Sequence, residues 1–288
     1  MQTIIVGASN STELAKKIAK NLKYTYSELF TEKFPDGETH LQFRTEVKNK
    51  KIIFVQTMHP NPNNSLIETI LAINTAKKLG AKEIILVAPY LAYLRQDKMF
   101  RPGECVSNKI IANLLSIANR IITIDPHLHR INKLSEIFTT KTTTLSAMHA
   151  VSQYIIQNKI NTLIVGPDIE SSQWASKVAQ ETGLPFTILH KKRYNARTIR
   201  TKVNANVRGK EVIIVDDIIS TGHTMLEPIA QLKKLGAKKI TCIAVHGIFA
   251  ENAIELLKKT GAQILSTNTI QTKASKIDIS STICAALR

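Results

Sequence analysis

The sequence predicts an α/β chain made of two tandem units, each a mostly parallel sheet flanked by helices. Three observations carry that prediction. Short apolar, β-branched runs alternate throughout with amphipathic helical segments, the pattern of crossovers that cover a parallel sheet on both faces. Lys77-Lys78-Leu79-Gly80-Ala81-Lys82, opening a helix-to-strand joint, recurs residue for residue at Lys233-Lys234-Leu235-Gly236-Ala237-Lys238, 156 residues later. Finally, the strand-like runs end in polar or charged residues, as expected at the edge where open α/β sheets bind ligands.

Taken in order, Met1 to Gly7 begins directly as a strand, with no signal-peptide pattern. Phe34-Pro35-Asp36-Gly37-Glu38 combines turn residues with two carboxylates and, alone, also reads as a plain hairpin turn. Lys51 to Val55 is a strand followed by Gln56-Thr57 and a loop, Met58 to Ser65, that carries two prolines. The strand Glu83 to Ala88 leads into Pro89 to Lys98, which sets Arg95, Gln96 and Lys98 at a strand end, suited to a polyphosphate and a purine edge or to a surface charge cluster. Ile121 to Ile124 precedes Asp125-Pro126-His127-Leu128-His129-Arg130. A domain boundary is expected near Thr144 to Met148.

In the second half, Leu163-Ile164-Val165-Gly166-Pro167 ends in Asp168. Leu189 to Tyr194 leads into a basic, irregular segment, Asn195 to Asn206, which reads as a solvated loop or as a cationic flap closing over phosphates. The most informative stretch follows. Val212-Ile213-Ile214-Val215 is a buried strand ending in Asp216-Asp217, then the loop Ser220-Thr221-Gly222-His223-Thr224 and an amphipathic helix with Leu226, Ile229, Ala230 and Leu232. Loop N–H groups and a helix N-terminus make an anion cradle. Phosphate in the cradle, with sugar hydroxyls or Mg²⁺ on the carboxylates, describes a ribose 5-phosphate site. No Walker A pattern occurs. The first copy has Gln56-Thr57 where the second has Asp216-Asp217, so one half keeps the site and the other has lost it. The tail, Lys273 to Arg288, is expected as a strand and helix packing back on the first domain.

Composition narrows the classes. The chain of 288 residues suits two cores, and its three cysteines, Cys105, Cys242 and Cys284, are isolated and lack metal spacing, pointing to a reducing cytoplasm. No run of apolar residues is long enough for a membrane span. The net charge of +17 favours anionic partners, but the lysine pairs sit on separate helices and aromatics are only 5%, so a base-stacking nucleic-acid platform is disfavoured. That charge exceeds what one anionic substrate needs.

The Asp216–Thr224 segment resembles the phosphoribosyl-pyrophosphate (PRPP) loop shared by phosphoribosyltransferases and PRPP synthetases. Together with Phe34-Pro35-Asp36-Gly37-Glu38, Arg95-Gln96-Asp97-Lys98, Asp125-x-His127, Gly166-Pro167-Asp168 and Lys191-x-Arg193 in this order, it resembles the ribose-phosphate pyrophosphokinase family over nearly the whole chain, most closely its archaeal-type branch. The resemblance implies two phosphoribosyltransferase-like domains, 1–146 on the ATP side and 147–272 with the ribose 5-phosphate loop, plus a 273–288 tail. It implies diphosphoryl transfer from ATP to the C1 hydroxyl of ribose 5-phosphate, giving PRPP and AMP for nucleotide biosynthesis. Phe34, Asp36 and Glu38 would contact ATP across a subunit interface of a homo-oligomer, with Arg95, Gln96, Lys98 and His127 also binding ATP. His127 and Asp168 would hold Mg²⁺-ATP, Lys191 and Arg193 would be catalytic, and Asp216, Asp217, Ser220, Thr221, Gly222, His223 and Thr224 would hold ribose 5-phosphate. Ser220 stands where an acid is common, His223 where a small residue is common, and Pro126, Leu128 and Cys105 also depart from the usual pattern. A phosphoribosyltransferase would leave the ATP-side motifs unexplained. A catalytically silent regulatory subunit should lack flap or metal residues that are present here.

Overall fold

The computed structural model describes residues 1–128, 130–193, 199–202 and 205–288, with strands 190–193 and 199–202 given by their backbone alone. Two compact units result, Met1–Ser146 with Ser280–Arg288, and Ala147–Ile279. No helix of the described residues is long and apolar enough to cross a membrane.

The first unit contains strands β1 (Thr3–Gly7), β2 (Thr25–Lys33), β3 (Thr39–Phe43), β4 (Lys51–Val55), β5 (Glu83–Ala88), β6 (Arg120–Ile124) and β7 (Lys141–Leu145), with helices α1 (Thr12–Leu22), α2 (Pro62–Lys78) and α3 (Ser107–Leu115). The sheet order is β3-β2-β1-β4-β5-β6-β7. Among the described residues of this unit, only the β2–β3 pair is antiparallel. The core joins Ile52, Phe54, Ile84 and Leu86 to Ala72, Ile73 and Ala76 of α2 and Ala112 and Leu115 of α3, all buried. Each fully buried Ile or Leu of this kind stabilises the unit by about 1.5–3 kcal/mol relative to an exposed one.

The second unit contains β8 (Leu163–Gly166), β9 (Phe186–Ile188), β10 (His190–Arg193), β11 (Ile199–Lys202), β12 (Glu211–Ile219), β13 (Lys239–Gly247), β14 (Gln263–Thr267) and β15 (Ser275–Ile277), with helices α4 (Met148–Gln157), α5 (Ser172–Thr182), α6 (His223–Lys234) and α7 (Ala253–Lys258). Its main sheet runs β9-β8-β12-β13-β14-β15, all parallel. With β3 set aside, this is the strand order of the first unit. β10 and β11 form a separate two-stranded antiparallel ribbon. Within the span Asn195 to Asn206, expected as irregular, residues 199–202 form strand β11. The tail divides: β15 stays in the second unit, whereas helix α8 (Ser280–Leu287) joins the first. There Asn21 Nδ2 donates to Ser280 Oγ (3.2 Å) and Arg120 Nη1 to the Ala286 carbonyl (3.3 Å).

Hydrogen bonds repeat as the sequence does. Asn49 N–H donates to the Gly80 carbonyl at 2.8 Å, and Gly209 N–H to the Gly236 carbonyl at 2.8 Å. Lys82 N–H donates to Lys50 (2.9 Å), and Lys238 N–H to Lys210 (2.8 Å). Gly80 and Gly236 both have φ of +85°, and a Cβ on either would press on the preceding turn, at Lys48 Cγ (3.3 Å) and Arg208 Cγ (3.1 Å) respectively. Only glycine combines that backbone with that proximity.

Candidate active site

At the carboxyl edge of the second unit, β8 and β12 lie side by side with Val165 opposite Ile214. Asp168 and Asp216 therefore emerge at the same edge, and Asp217 follows. Burial, then the Asp217 charge, then the Asp168 charge push the Asp216 carboxyl well above its ordinary value. Asp216 Oδ1 accepts the Asp217 N–H (3.1 Å), and Asp217 Oδ1, on a residue only 5% exposed, accepts the Ile218 N–H (2.8 Å). Burial and the Asp216 charge also push the Cys242 thiol up to about 12, which keeps it protonated and unreactive. The strand does not end at the carboxylates as its sequence suggested. Ile218 and Ile219 pair with His246 and Gly247, carrying β12 on to Ile219.

The loop that follows is seated from below. Gly222 has φ of +79°, and a Cβ there would meet Leu257 Cγ at 3.2 Å and Ala253 Cβ at 3.3 Å on α7. The Ile219 carbonyl accepts N–H groups from both Ile248 and Phe249, each at 3.1 Å. Ser220 and Thr221 are half-buried, while His223 and Thr224 are exposed at the start of α6. His223 Nδ1 lies 3.2 Å from Thr221 Oγ1. The helix buries Met225, Pro228, Ile229 and Leu232, so its inner face is rotated from the sequence assignment, and Ala230 is exposed. A helix N-terminus of this kind presents unpaired N–H groups and a positive dipole end to an anion.

The first unit has the same frame with different chemistry. Register places Gln56 and Thr57 where Asp216 and Asp217 stand, and Ser9 where Asp168 stands. These groups bond to one another and to neighbouring side chains, Gln56 Nε2 donating to Ser9 Oγ at 3.2 Å. Glu68 on α2 accepts Ser9 N–H (3.0 Å) and Ser9 Oγ–H (2.6 Å). Gln56 Oε1 accepts Asn10 N–H (3.1 Å), and Asn10 Nδ2 donates to Ser65 Oγ (2.8 Å). Thr57 N–H donates to Ser11 Oγ (2.8 Å). Since this edge folds without the three carboxylates, those of the second unit answer to something other than folding.

The ATP-side motifs of the first unit fall into two groups. Phe34 to Glu38 is the turn of the β2–β3 hairpin, closed by Phe34 N–H to Glu38 carbonyl (2.9 Å) and Gly37 N–H to Phe34 carbonyl (2.8 Å). Asp36 Oδ1 accepts the Glu38 N–H (3.1 Å). β1 ends opposite Glu28, so the hairpin overhangs the sheet edge, and Phe34 is 48% exposed. β1 and β4 separate it from the Arg95 loop, which it does not join within the unit. The Arg95–Lys98 loop is instead linked to the loop that carries His127 through Asp97 and Arg130, to which the sequence pattern assigns no role. Asp97 accepts Arg130 Nη1 (2.7 Å) on Oδ1 and Arg130 N–H (3.2 Å) on Oδ2. Burial alone would raise the Asp97 carboxyl, but the Arg130 hydrogen bonds and charge hold it below its ordinary value. Contacts across such sequence distance have no local signal.

Lys191 and Arg193 lie on β10, which pairs with β11 through Lys191–Thr201 and Arg193–Ile199. Their side chains, like His129 and residues 194–198, 203 and 204, lie outside the described residues.

Comparison with known proteins covers both halves. Residues 3–118 match the family model described as the N-terminal domain of ribose phosphate pyrophosphokinase, and residues 134–279 that of the phosphoribosyl transferase domain. The ribose-phosphate pyrophosphokinase of Methanobrevibacter smithii is 34% identical over 300 residues, spanning 99% of this chain and 100% of its own. That of Pyrococcus abyssi is 36% identical over 282 residues, spanning 97% and 96%. The crystal structure of phosphoribosylpyrophosphate synthetase from Mycobacterium smegmatis matches 100% of this chain and 98% of its own with a TM-score of 0.86 at 27% identity. With both domains matched in order and whole chains aligned end to end, this protein belongs to the ribose-phosphate pyrophosphokinase family.

Proposed function

We propose that this chain transfers the diphosphoryl group of ATP to the C1 hydroxyl of ribose 5-phosphate, releasing AMP and PRPP for nucleotide biosynthesis. One observation carries the reading beyond family membership. Of two units with one frame, only the second puts three mutually repelling carboxylates beside an anion cradle, an arrangement that costs stability until a cation or a row of hydroxyls meets it. Ribose 5-phosphate supplies hydroxyls for Asp216 and Asp217 and a phosphate for Ser220, Thr221, Gly222, His223 and Thr224.

The donor set also fits Mg²⁺. Among the described residues no three His, Cys, Asp or Glu side chains converge as a closed cage, and Mg²⁺ characteristically takes one or two carboxylates and completes its shell with water and substrate phosphates. Asp168 is the carboxylate assigned to it, held in place by Ser171, whose N–H donates to Asp168 Oδ1 at 3.0 Å. His127 is assigned to the triphosphate or its metal. When bound, Mg²⁺ neutralises the transferring diphosphoryl charge. In this scheme Arg95, Gln96 and Lys98 bind the nucleotide, and Asp216 and Asp217 orient the ribose so that its C1 oxygen faces the β-phosphorus. Lys191 and Arg193 meet the charge developing on the bridging oxygen. The overhanging hairpin of Phe34, Asp36 and Glu38 supports a homo-oligomer in which it reaches a partner's nucleotide. A cytoplasmic location fits the ATP it consumes.

Measuring AMP formation from ATP and ribose 5-phosphate tests the reading. A phosphoribosyltransferase would form no AMP from that pair, and a silent subunit would form none alone. Two variants refine it. Asp168→Ala should raise the Mg²⁺ concentration for half-maximal rate and lower turnover, and an unchanged Mg²⁺ dependence in a folded variant removes the metal role. Asp97→Ala, which unties Arg130, should raise KM for ATP several-fold while leaving that for ribose 5-phosphate within error. Equal effects on both constants would mean general loosening of the fold.

A further inference from the structure

In the first unit the loop between β4 and α2, Met58 to Ser65, stands where the second unit has its phosphate loop. It contains two prolines, three asparagines and no glycine, so it lacks the residue type that lets Gly222 take φ of +79° in the second unit. Pro62 opens α2 and removes one N–H from the helix start. The loop is therefore a poor anion cradle.

What it touches instead is the segment after β5. Met58 N–H donates to the Tyr90 carbonyl (3.0 Å), and Tyr90 N–H donates to Thr57 Oγ1 (3.1 Å). The His59 and Tyr90 rings meet edge to face, with centroids 6.5 Å apart. Three residues on, Tyr93 Oη donates to Asn63 Oδ1 in the first turn of α2. Tyr93 has φ of +65°, a left-handed backbone that a bulky side chain rarely adopts. Glycine or asparagine adopts it more readily, but neither would carry a hydroxyl to Asn63.

Residues in such conformations persist where their surroundings over-determine them, and they cluster at ligand sites. Tyr93 is held from a second side, because its carbonyl accepts Ser107 Oγ–H (3.2 Å) at the start of α3. Arg95 follows two residues later with its side chain exposed. The Gln96 carbonyl then accepts the Asn108 N–H (3.4 Å), again from α3. The Arg95–Gln96 backbone is suspended between these two holds. Met58, Leu91 and Leu94 share one buried core, which accounts for the two segments lying together. It does not account for a half-buried tyrosine in the left-handed region, hydroxyl-bonded to α2, just before an exposed arginine.

We infer that Tyr93 and Asn63 are positioning residues for nucleotide binding, through which the loop that lost the sugar-phosphate site braces the Arg95–Lys98 loop. The inference rests on the assignment of that loop to ATP under the proposed function.

Two mild variants test it. Tyr93→Phe removes the hydroxyl and keeps the ring, and Asn63→Ala removes the acceptor from an exposed position. Each should raise the dissociation constant of Mg²⁺-ATP, measured by calorimetry without ribose 5-phosphate, about three- to tenfold, the range of one net hydrogen bond. KM for ATP in AMP formation should rise by the same factor, with kcat and KM for ribose 5-phosphate unchanged. The double variant should bind no more weakly than either single one, since both remove the same bond. Parental ATP constants in both single variants would overturn the inference. So would additive losses in the double variant, or an equal rise in KM for ribose 5-phosphate, which would mean general loosening. AMP formation by the parent with unchanged ATP constants in the variants removes the inference and leaves the proposed function standing. Weaker Mg²⁺-ATP binding in the variants of a chain that forms no AMP does the reverse, and a parent that binds no Mg²⁺-ATP overturns both.

Discussion

Replacing Lys191 or Arg193 with Ala is expected to lower kcat by on the order of 10²–10³ while changing the KM of either substrate little. Both residues lie on β10 of a two-stranded ribbon that stands apart from the six-stranded sheet. Such a ribbon is marginally stable by itself, so its position is free to depend on what lies beneath it. A group that meets the substrate only after the ribbon closes contributes chiefly in the transition state, and its loss then falls on kcat. Because, among the described residues, β10 and β11 pair only with each other, the thermal midpoint of both variants should stay close to the parent's. Steady-state kinetics with each substrate varied in turn decides the matter. Parental turnover with a weaker KM would make the ribbon an electrostatic tether, and His127 would become the first candidate for the catalytic charge.

What the sequence disclosed and what it withheld divide along a physical line. The repeated joint at Lys77 and Lys233, the buried strand before Asp216 and the loop Ser220–Thr224 were legible because each follows from local rules: a recurrence, a propensity, a turn composition. The sealing of the first unit's edge was not, because it depends on Ser9 meeting Glu68 and Asn10 meeting Gln56, pairs set by the fold and not by spacing. The Asp97–Arg130 clasp is of the same kind, joining two loops that follow different strands. The inner face of α6 departs from its apolar pattern because Pro228 is buried in it and Ala230 is exposed.

Asp216→Asn should do two opposite things, and their conjunction is the sharpest test of the site. The substitution keeps shape and leaves an oxygen to accept the Asp217 N–H, so the backbone has no reason to move. It removes one of three like charges held together at a partly buried edge. A carboxyl whose folded value lies above its unfolded one favours the folded state only while protonated, so its contribution is present at acid pH and is lost as pH rises through the raised value. At neutral pH without substrates, Asp216→Asn should therefore melt higher than the parent, by at least ~2 °C for each kcal/mol recovered. The gap should close as pH falls below the ordinary carboxylate value of 3.8. Catalysis should move the other way. With one ribose-orienting carboxylate gone, KM for ribose 5-phosphate should rise and kcat/KM fall by on the order of 10²-fold or more, while ATP affinity holds. Asp217→Asn should share the catalytic loss. A stabilised Asp216→Asn enzyme with normal ribose 5-phosphate use would mean that the carboxylate cluster serves neither sugar nor metal. Loss of ATP affinity with an unchanged ribose 5-phosphate constant would mean that the two substrate sites are assigned the wrong way round. Charge that the fold tolerates at a cost, at positions where its twin unit carries Ser9, Gln56 and Thr57, is placed there for a ligand.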